Sequence, residues 1–269
     1  MKCLWIVAIF FLLTNSFPID NWEEDPEFKG NFCEGDMDLT EEEERELFAE
    51  AESRNTVMGK SRRWPNKTLR YRISRSIDKE HKEHIMYSMN VIQNVSCIKF
   101  ERAKSGDDAY VHVTGNPTGC HSRVGYQNTV QQLNLETFPV NSGCYRTASI
   151  VHEFLHALGF LHQQSAPNRD KYVKIVPDNI VFGLRHNFRK YSKSLVTDFG
   201  VEYDYGSVMH YGPYAFSRNG KKTIIRLVED DDKVVMGQRM GLSMKDIVKL
   251  NIMYKCPGAK HMMEEVLKK

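Results

Sequence analysis

The spacing of three histidines constrains this chain more than any other feature of its sequence. Residues 152–162 read His-Glu-Phe-Leu-His-Ala-Leu-Gly-Phe-Leu-His. Histidines four positions apart lie on one face of a helix, close enough for both imidazoles to bind one zinc ion. Gly159 follows and permits a sharp break, after which the chain can turn and bring a third histidine to the same metal. The sequence therefore predicts one Zn²⁺ per chain, held by His152, His156 and His162.

Glu153 lies next to the first of these histidines and predicts hydrolytic chemistry at the metal. Zinc lowers the pKa of a bound water toward neutrality, so a neighbouring carboxylate can take its proton and later pass it to a leaving amine. A bare His-Glu-x-x-His pattern arises by chance. The extension to Gly159 and His162 argues against incidental core histidines, because three imidazoles and a carboxylate would then crowd together without a reason. We expect Glu153 to be the catalytic base of a zinc hydrolase.

Residues 1–16 have the pattern of a secretory signal peptide. Lys2 and Cys3 are followed by the apolar run Leu-Trp-Ile-Val-Ala-Ile-Phe-Phe-Leu-Leu and then by Thr14-Asn15-Ser16. This run is too short to cross a bilayer, which needs about twenty apolar residues. A buried N-terminal strand is the alternative interpretation. Because no later stretch is long and apolar enough for a membrane span, we expect a secreted, extracellular protein.

Charge is segregated along the rest of the chain. Residues 17–54 contain 15 acidic and 3 basic side chains, a net charge of −12, whereas residues 55–269 carry +13. Opposite blocks of this size suggest that the acidic segment docks on the basic remainder until it is removed, although a solvated acidic spacer would have the same composition. We predict an acidic propeptide over residues 17–54, a catalytic domain over 55–256 and a short C-terminal tail over 257–269.

Export also decides how the cysteines and two asparagines are interpreted. Five cysteines remain after the signal peptide: Cys33, Cys97, Cys120, Cys144 and Cys256. An oxidising compartment favours disulfides, but spacing alone leaves their connectivity open, and five is an odd number. Asn66 and Asn94 each begin an Asn-x-Ser/Thr triplet, which predicts glycosylation acceptors.

Hydrophobic periodicity predicts an α+β fold. Strands are predicted over Leu69–Ile73, Tyr110–Val113 and Val130–Leu135, and helices over residues 41–52, after Asp78, over Ala148–Leu158 and after Ser243. The helix after Ser243 is expected to be the last, with Met244, Ile247, Leu250 and Tyr254 on one side. We expect two lobes: an N-terminal lobe of twisted sheet and helices, and a less regular C-terminal lobe that ends in this helix.

From residue 55 to residue 256 the sequence resembles the astacin family of metzincin zinc peptidases. Besides the zinc motif, Ser207-Val-Met-His-Tyr211 is similar to the family's Met-turn, and Arg63-Trp-Pro-Asn66 is similar to its start-of-domain signature. The resemblance implies that Met209 forms a hydrophobic floor under the zinc. It also implies that Tyr211 is a further zinc ligand, whose phenol swings away to stabilise the oxyanion of a tetrahedral intermediate.

The frame of the domain also resembles the family. The contexts of four cysteines match its disulfide positions, which implies the pairs Cys97–Cys256 and Cys120–Cys144. The segment from Cys120 to Gly125 resembles the edge strand that the family uses to hold an extended peptide. Edge pairing suits an endopeptidase, because it recognises the backbone of a substrate rather than its ends.

Two stretches depart from the family pattern. Astacin precursors carry Phe-x-Gly-Asp, whose aspartate occupies the water site of the zinc, whereas here the run is Cys33-Glu-Gly-Asp36. By the resemblance Asp36 blocks the metal in the zymogen, and Cys33 is an alternative thiolate ligand. A trypsin-like protease is expected to cut between Arg54 and Asn55. The family then anchors the new N-terminal ammonium on a glutamate after the third histidine. Here that residue is Gln163, which brings no negative charge and should bind the ammonium more weakly.

These features predict a secreted zinc metalloendopeptidase, made as a zymogen, that hydrolyses internal peptide bonds of proteins by Glu-assisted attack of zinc-bound water. Two alternatives stay open. A secreted zinc-binding protein of the same fold without turnover is disfavoured by the presence of Glu153. A zinc hydrolase of small peptides or esters is disfavoured by the Met-turn. The expected partners of the monomer are protein substrates and the activating protease, without nucleic acid or a membrane span.

Overall fold

The computed structural model describes residues 25–49, 62–228 and 234–267. The predicted signal peptide, the beginning of the acidic segment and the Arg54–Asn55 bond lie outside the described residues. The helices are α1 (Glu41–Phe48), α2 (Lys79–Asn94), α3 (Thr147–Ala157), α4 (Met244–Met253) and α5 (Ala259–Leu267). The strands are β1 (Met37–Asp38), β2 (Thr68–Ile73), β3 (Lys99–Arg102), β4 (Tyr110–Thr114), β5 (Cys120–Arg123), β6 (Val130–Leu135), β7 (Val173–Ile175) and β8 (Ile224–Arg226).

The N-terminal lobe is a six-stranded sheet with α2 and α3 packed together beside it. The strand order is β1-β5-β6-β4-β2-β3, and every pair is parallel except β5 with β6, which is antiparallel. Asp78 caps α2 by accepting a hydrogen bond from the amide of His81 at 3.0 Å. Alternate strand residues such as Val111 and Val113 are fully buried, as are Ile85 and Ile92 of α2. Apolar residues recur every second position in the strands and every third or fourth position in the helix, so their side chains all face one core.

The C-terminal lobe is less regular, and most of it is loops and short 3-10 turns. β7 and β8 form a two-stranded antiparallel sheet. Around it lies a second apolar cluster that includes Val173, Phe188, Tyr203 and Ile224. α4 begins at Ser243, whose hydroxyl accepts from the amide of Asp246. The predicted α+β fold with a sheet-and-helix lobe and an irregular lobe is confirmed.

Two details of the predicted C-terminus are wrong. Met244 is 61% exposed, although Leu250 and Tyr254 of the same predicted face are buried. Met244 is the first residue of α4, so its side chain precedes the part of the helix that packs on the domain. The helix after Ser243 is also not the last, because the predicted tail contains α5. No helix among the described residues is long and apolar enough to cross a membrane.

Both disulfides implied by the resemblance are present. Cys97–Cys256 joins the end of α2 to the residues just after α4, and Cys120–Cys144 joins β5 to the turn before α3. Cys33 is a free thiol. The first bond spans 159 residues of sequence, so it closes most of the domain into one loop.

Residues 25–49 lie against the domain, and we call them the docked segment. Its β1 pairs with the outer edge of β5, with Met37 opposite Ser122 and Asp38 opposite Arg123. A small apolar cluster joins Met37 and Leu47 of this segment to Val124 and Tyr191 of the domain. For these residues the docked arrangement, rather than a solvated spacer, is observed.

Candidate metal centre

α3 carries the first two histidines, and a glycine ends it where the motif predicts. His152 and His156 are fully buried on one face of the helix, with ring centroids 4.7 Å apart. Gly159 has φ = 102°, and a Cβ there would lie 2.9 Å from the Met253 methyl group. The left-handed turn is therefore open to glycine but strained for other residues. The chain then reverses and places the His162 ring 5.4 Å and 4.8 Å from the other two rings.

Asp36 of the docked segment reaches the point where the three imidazoles converge. Its carboxylate oxygens lie 3.1 Å from His152 Nε2, 3.2 Å from His162 Nε2 and 3.5 Å from His156 Nε2. One ligand-type atom from each of the four side chains lies within 4.8 Å of the others. All four side chains are buried. The structure thus brings together the three predicted ligands and the predicted zymogen aspartate.

Hydrogen bonds at the outer ring nitrogens define the tautomers of the histidines. His152 Nδ1 lies 2.8 Å from the Val208 carbonyl, and His156 Nδ1 lies 2.9 Å from the Phe160 carbonyl. Since a carbonyl only accepts, both Nδ1 atoms carry a proton, so Nε2 is the atom that each neutral ring would offer to a metal. These two Nε2 atoms lie 3.1 Å apart beside the Asp36 carboxylate.

This donor set fits a zinc ion. Imidazole nitrogens that converge with a carboxylate in a buried place need a positive charge among them, and a metal ion can supply it. Imidazole nitrogens and carboxylate oxygens are also ligands that zinc takes, and four of them match its usual coordination number. The buried group of Asp36, His152, His156 and His162 therefore fits a metal site by the chemistry of its donors.

Glu153 is completely buried beside this group. Neither of its carboxylate oxygens has a hydrogen-bond partner among the described residues. Burial raises the pKa of Glu153 well above its usual range, and the nearby carboxylates of Asp36 and Glu27 add to the rise. Burial alone would also raise the pKa of Asp36, but the imidazoles of His162 and His156 outweigh it and hold that pKa well below its usual range.

Glu34 holds several groups around the third histidine. Its carboxylate accepts from His162 Nδ1 at 2.8 Å, from the Ser165 hydroxyl at 2.6 Å and from the Tyr191 hydroxyl. Its backbone carbonyl accepts a hydrogen bond from the hydroxyl of Tyr211. The predicted catalytic tyrosine is therefore engaged by the docked segment and lies 4.9 Å, centroid to centroid, from the His162 ring.

A second carboxylate of the docked segment is paired with a buried arginine. The Nε atom of Arg239 donates to both carboxylate oxygens of Glu27, at 2.9 and 3.0 Å, and a terminal nitrogen of the same guanidinium donates to one of them. The Ser149 hydroxyl also donates to this carboxylate, at 2.7 Å. Burial would raise the pKa of Glu27, but Arg239 outweighs it and lowers the pKa to about 2. This ion pair fastens the segment to the domain beside α3.

The strand that the resemblance assigns to peptide binding is covered in this structure. β5 pairs with β6 on one side, while β1 occupies its other edge, and the amide of Ser122 donates to the Asp36 carbonyl at 2.9 Å. Without the docked segment, this edge of β5 would present free backbone groups. The docked segment therefore occupies the place expected for an extended substrate.

The remaining predicted residues are placed as follows. Met209 is buried in the main core, and its carbonyl accepts from the Gln163 amide at 2.9 Å. The Gln163 side-chain oxygen accepts from the ammonium of Lys249 at 2.5 Å, next to a cavity of about 610 Å³ that both residues line. Asn66 and Asn94 are exposed.

The alternative thiolate ligand, Cys33, is not part of the metal group formed by the described residues. Its side chain packs against the cluster of Met37, Leu47 and Tyr191. Burial raises the pKa of its thiol, and the neighbouring Glu34 carboxylate raises it further. The structure thus brings Asp36 to the histidines and leaves Cys33 as an apolar neighbour.

Sequence reasoning missed several residues of this site. Glu27 and Glu34 belong to an acidic run without a distinctive spacing, and their partners Arg239 and Tyr191 lie 212 and 157 residues away. The only available signal was the net charge of the two blocks, which predicts docking but not its contacts.

Fold and site together define a class of protein. A sheet-and-helix lobe supplies a helix with two histidines, a glycine turn supplies the third, and an adjacent buried glutamate lies beside them. This is the arrangement of a metzincin-like zinc peptidase.

Comparisons with known proteins identify the family within that class. The family model described as Astacin, a peptidase family, matches residues 56–255, and the chain belongs to the astacin family. Seminal metalloprotease 1 of Drosophila melanogaster is 40% identical over 256 residues, which cover 94% of this chain and 97% of that protein. Meprin A subunit beta of Rattus norvegicus is 35% identical over 266 residues, covering 97% of this chain and 36% of that protein.

A solved structure supports the same family assignment. High choriolytic enzyme 1, a hatching enzyme zinc-protease from Oryzias latipes (medaka fish), superposes with a TM-score of 0.66 at 32% identity, covering 75% of this chain and 98% of that chain. The family is zinc-dependent, and the chain is a zinc metalloendopeptidase.

Proposed function

We propose that this chain is the latent precursor of a secreted zinc endopeptidase, in which the docked segment blocks the metal until it is removed. The observation that carries the proposal is the position of Asp36, whose carboxylate lies within 3.5 Å of all three Nε2 atoms. In this proposal His152, His156 and His162 hold one Zn²⁺, and Asp36 takes the remaining position in the precursor.

When bound, zinc supplies Lewis acidity, which polarises a peptide carbonyl and makes a neighbouring water more acidic. The protein supplies the proton transfers. Glu153 lies beside the first ligand, and its carboxylate oxygens lack hydrogen-bond partners among the described residues, so they are available to a water and then to a leaving amine. We assign it the role of general base toward water and then general acid toward the leaving amine.

Tyr211 is proposed to stabilise the oxyanion. Its hydroxyl already donates to a carbonyl oxygen, that of Glu34, next to the metal group. After release of the segment the same donor is available to a substrate carbonyl, where a hydrogen bond that strengthens as negative charge develops lowers the barrier. Met209, buried near the turn that carries Tyr211, is proposed as the apolar floor of the site.

The edge of β5 is proposed to hold the substrate backbone. Removal of β1 frees the outer side of residues 120–123, and pairing along an edge needs no chain terminus. This supports cleavage inside protein chains. Neither the turnover-free alternative nor a small-ester hydrolase is favoured by an observation, since Glu153 and the strand edge are both in place.

The remaining parts of the proposal concern processing and export. Two disulfides and the exposed Asn66 and Asn94 support secretion and glycosylation. We propose removal of residues 1–16 as a signal peptide and cleavage between Arg54 and Asn55 by a trypsin-like protease. The mature monomer then comprises the catalytic domain, residues 55–256, and the tail that follows it.

The test uses the full precursor purified from a secretory host. We expect about one zinc per chain, little hydrolysis of casein before trypsin treatment, and internal cleavage of casein afterwards, which a chelator stops. N-terminal sequencing after trypsin should give Asn55. A precursor as active as its trypsin product would refute the proposed latency, and release of terminal residues alone would refute endopeptidase action.

A further inference from the structure

The three candidate zinc ligands differ in where their outer hydrogen-bond partners come from. His152 and His156 donate to the carbonyls of Val208 and Phe160, which belong to the domain. His162 instead faces the Glu34 carboxylate at 2.8 Å, and Glu34 belongs to the docked segment. The third histidine therefore loses its partner when the segment leaves, whereas the other two keep theirs.

Such outer partners matter for metal binding. A carboxylate that accepts the outer N–H of a histidine fixes its tautomer and ring orientation and makes its other nitrogen a better ligand. Removing partners of this kind typically lowers metal affinity 10- to 100-fold. A carboxylate also raises ligand basicity more than a neutral carbonyl does, because its negative charge stabilises the positive charge drawn onto the ring.

Glu34 is held rigidly for this contact. The Ser165 hydroxyl donates to its other oxygen at 2.6 Å, the Tyr191 hydroxyl donates to the oxygen that faces His162, and its amide donates to Asn187 at 3.1 Å. The side chain is completely buried. A docking contact alone would not need two domain hydroxyls, those of Ser165 and Tyr191, to hold the carboxylate that faces His162.

We propose that Glu34 is a positioning residue for the metal. Through His162 it strengthens zinc binding in the precursor, beyond the direct contribution of Asp36, so that removal of the segment both opens the site and loosens its third ligand. This inference rests on the proposed function, in which the three histidines hold zinc. It predicts that the precursor is the form that acquires and retains the metal.

The experiment measures the apparent zinc Kd of the full precursor by competition with a chromophoric chelator. Glu34→Gln keeps the size of the side chain and removes its charge. We expect its zinc Kd to rise 10- to 100-fold. Glu43→Gln is the matched control, because Glu43 pairs with Arg62 and Arg123 of the domain, away from the histidines. Its zinc Kd should stay within about twofold of the wild type.

Ser165→Ala provides a second variant that leaves the segment itself unchanged. It removes one of the hydrogen bonds that hold Glu34, so zinc affinity should fall several-fold in the precursor but not in the mature form, where Glu34 is gone. Protease sensitivity of the segment reports whether it stays docked. If Glu34→Gln releases the segment or misfolds, the inference is tested by comparing the zinc affinity of Ser165→Ala in the precursor with that in the mature form.

Two results would overturn the inference. One is a zinc Kd for docked Glu34→Gln that matches Glu43→Gln, and the other is a Ser165→Ala effect of equal size in precursor and mature form. A wild-type precursor that binds no zinc would overturn the proposed function as well. Normal zinc binding without an effect of Glu34 would overturn this inference alone.

Discussion

Glu27 tests how the docked segment is fastened, because its hydrogen-bond partners are Arg239 and Ser149 and not a proposed metal ligand. The perturbation is Glu27→Gln in a peptide of residues 17–54, added to the mature domain. The wild-type side chain is 1% exposed and accepts hydrogen bonds from Arg239 and Ser149. The substitution leaves the guanidinium beside a neutral amide in a buried place.

The expected loss of binding free energy follows from the burial of the Glu27–Arg239 pair. Removing one partner of a buried ion pair costs about 3–5 kcal/mol, because the other charge is left uncompensated. Glutamine keeps a neutral acceptor, and release of the peptide returns Arg239 to water, so we expect a loss of about 2–3 kcal/mol. This corresponds to a Kd roughly 30- to 150-fold higher.

The assay is isothermal titration of the peptide into the mature domain, with Cys33 kept reduced. A double-mutant cycle with Arg239→Gln isolates the pair, since the effect of Glu27→Gln should shrink severalfold in that background. Glu42→Gln, at an exposed position of α1, is the control and should change Kd less than twofold. A change below threefold for Glu27→Gln, or equal effects in both backgrounds, would refute the ion-pair argument.

The pH dependence of the same pair has a defined sign. The pKa of Glu27 falls from its usual 4.5 to about 2 in the docked state. A lowered pKa stabilises docking above the free pKa, and this contribution is lost as the pH falls through about 4.5 toward 2. The difference in Kd between wild type and Glu27→Gln should therefore be constant from pH 7 to pH 6 and shrink below pH 4.5.

Three further predictions concern the metal and activation. Glu153→Gln in the mature form should lower kcat by about 10²- to 10⁴-fold with zinc content unchanged; unchanged kcat would exclude it as the base. Removing zinc by dialysis should lower the Tm of the mature form and readdition should restore it, since zinc at 100 times its Kd contributes about 2.7 kcal/mol; an unchanged Tm would argue against metal binding. Gln163 is neutral and already accepts a hydrogen bond from Lys249, so it should anchor the new N-terminal ammonium only weakly. Mature enzymes that begin at Asn55 or one residue earlier should therefore differ less than twofold in kcat/KM. The substitution Gln163→Glu should widen that difference.

The local parts of this fold are predictable from sequence. The helix predicted over Ala148–Leu158 is Thr147–Ala157, one residue earlier at each end, and the strand predicted over Val130–Leu135 has those bounds. Asp78 and Ser243 cap the helices that they were expected to cap. These features depend on neighbours within a few residues, which periodicity and capping chemistry encode directly.

The contacts between the docked segment and the domain are not predictable in the same way. Glu34 meets His162 across 128 residues, and Glu27 meets Arg239 across 212. Such contacts depend on where the folded domain places its buried polar groups. Composition indicates only that an acidic segment and a basic domain attract each other, and one glutamate of the run has no local signal that distinguishes it from the next.

The departure at Cys33 is explained by how the backbone presents Asp36. The amides of residues 33 and 37 each donate to the other's carbonyl, at 3.1 and 3.0 Å, which closes a tight loop. Inside it Glu34 has φ = 52° and Gly35 has φ = 89°, and a Cβ on Gly35 would lie 2.9 Å from the Glu27 carbonyl. The loop thus depends on this glycine and on backbone pairing, and directs both acidic side chains at the histidines. Residue 33 needs only to fill the apolar cluster beside Tyr191, which a neutral thiol does.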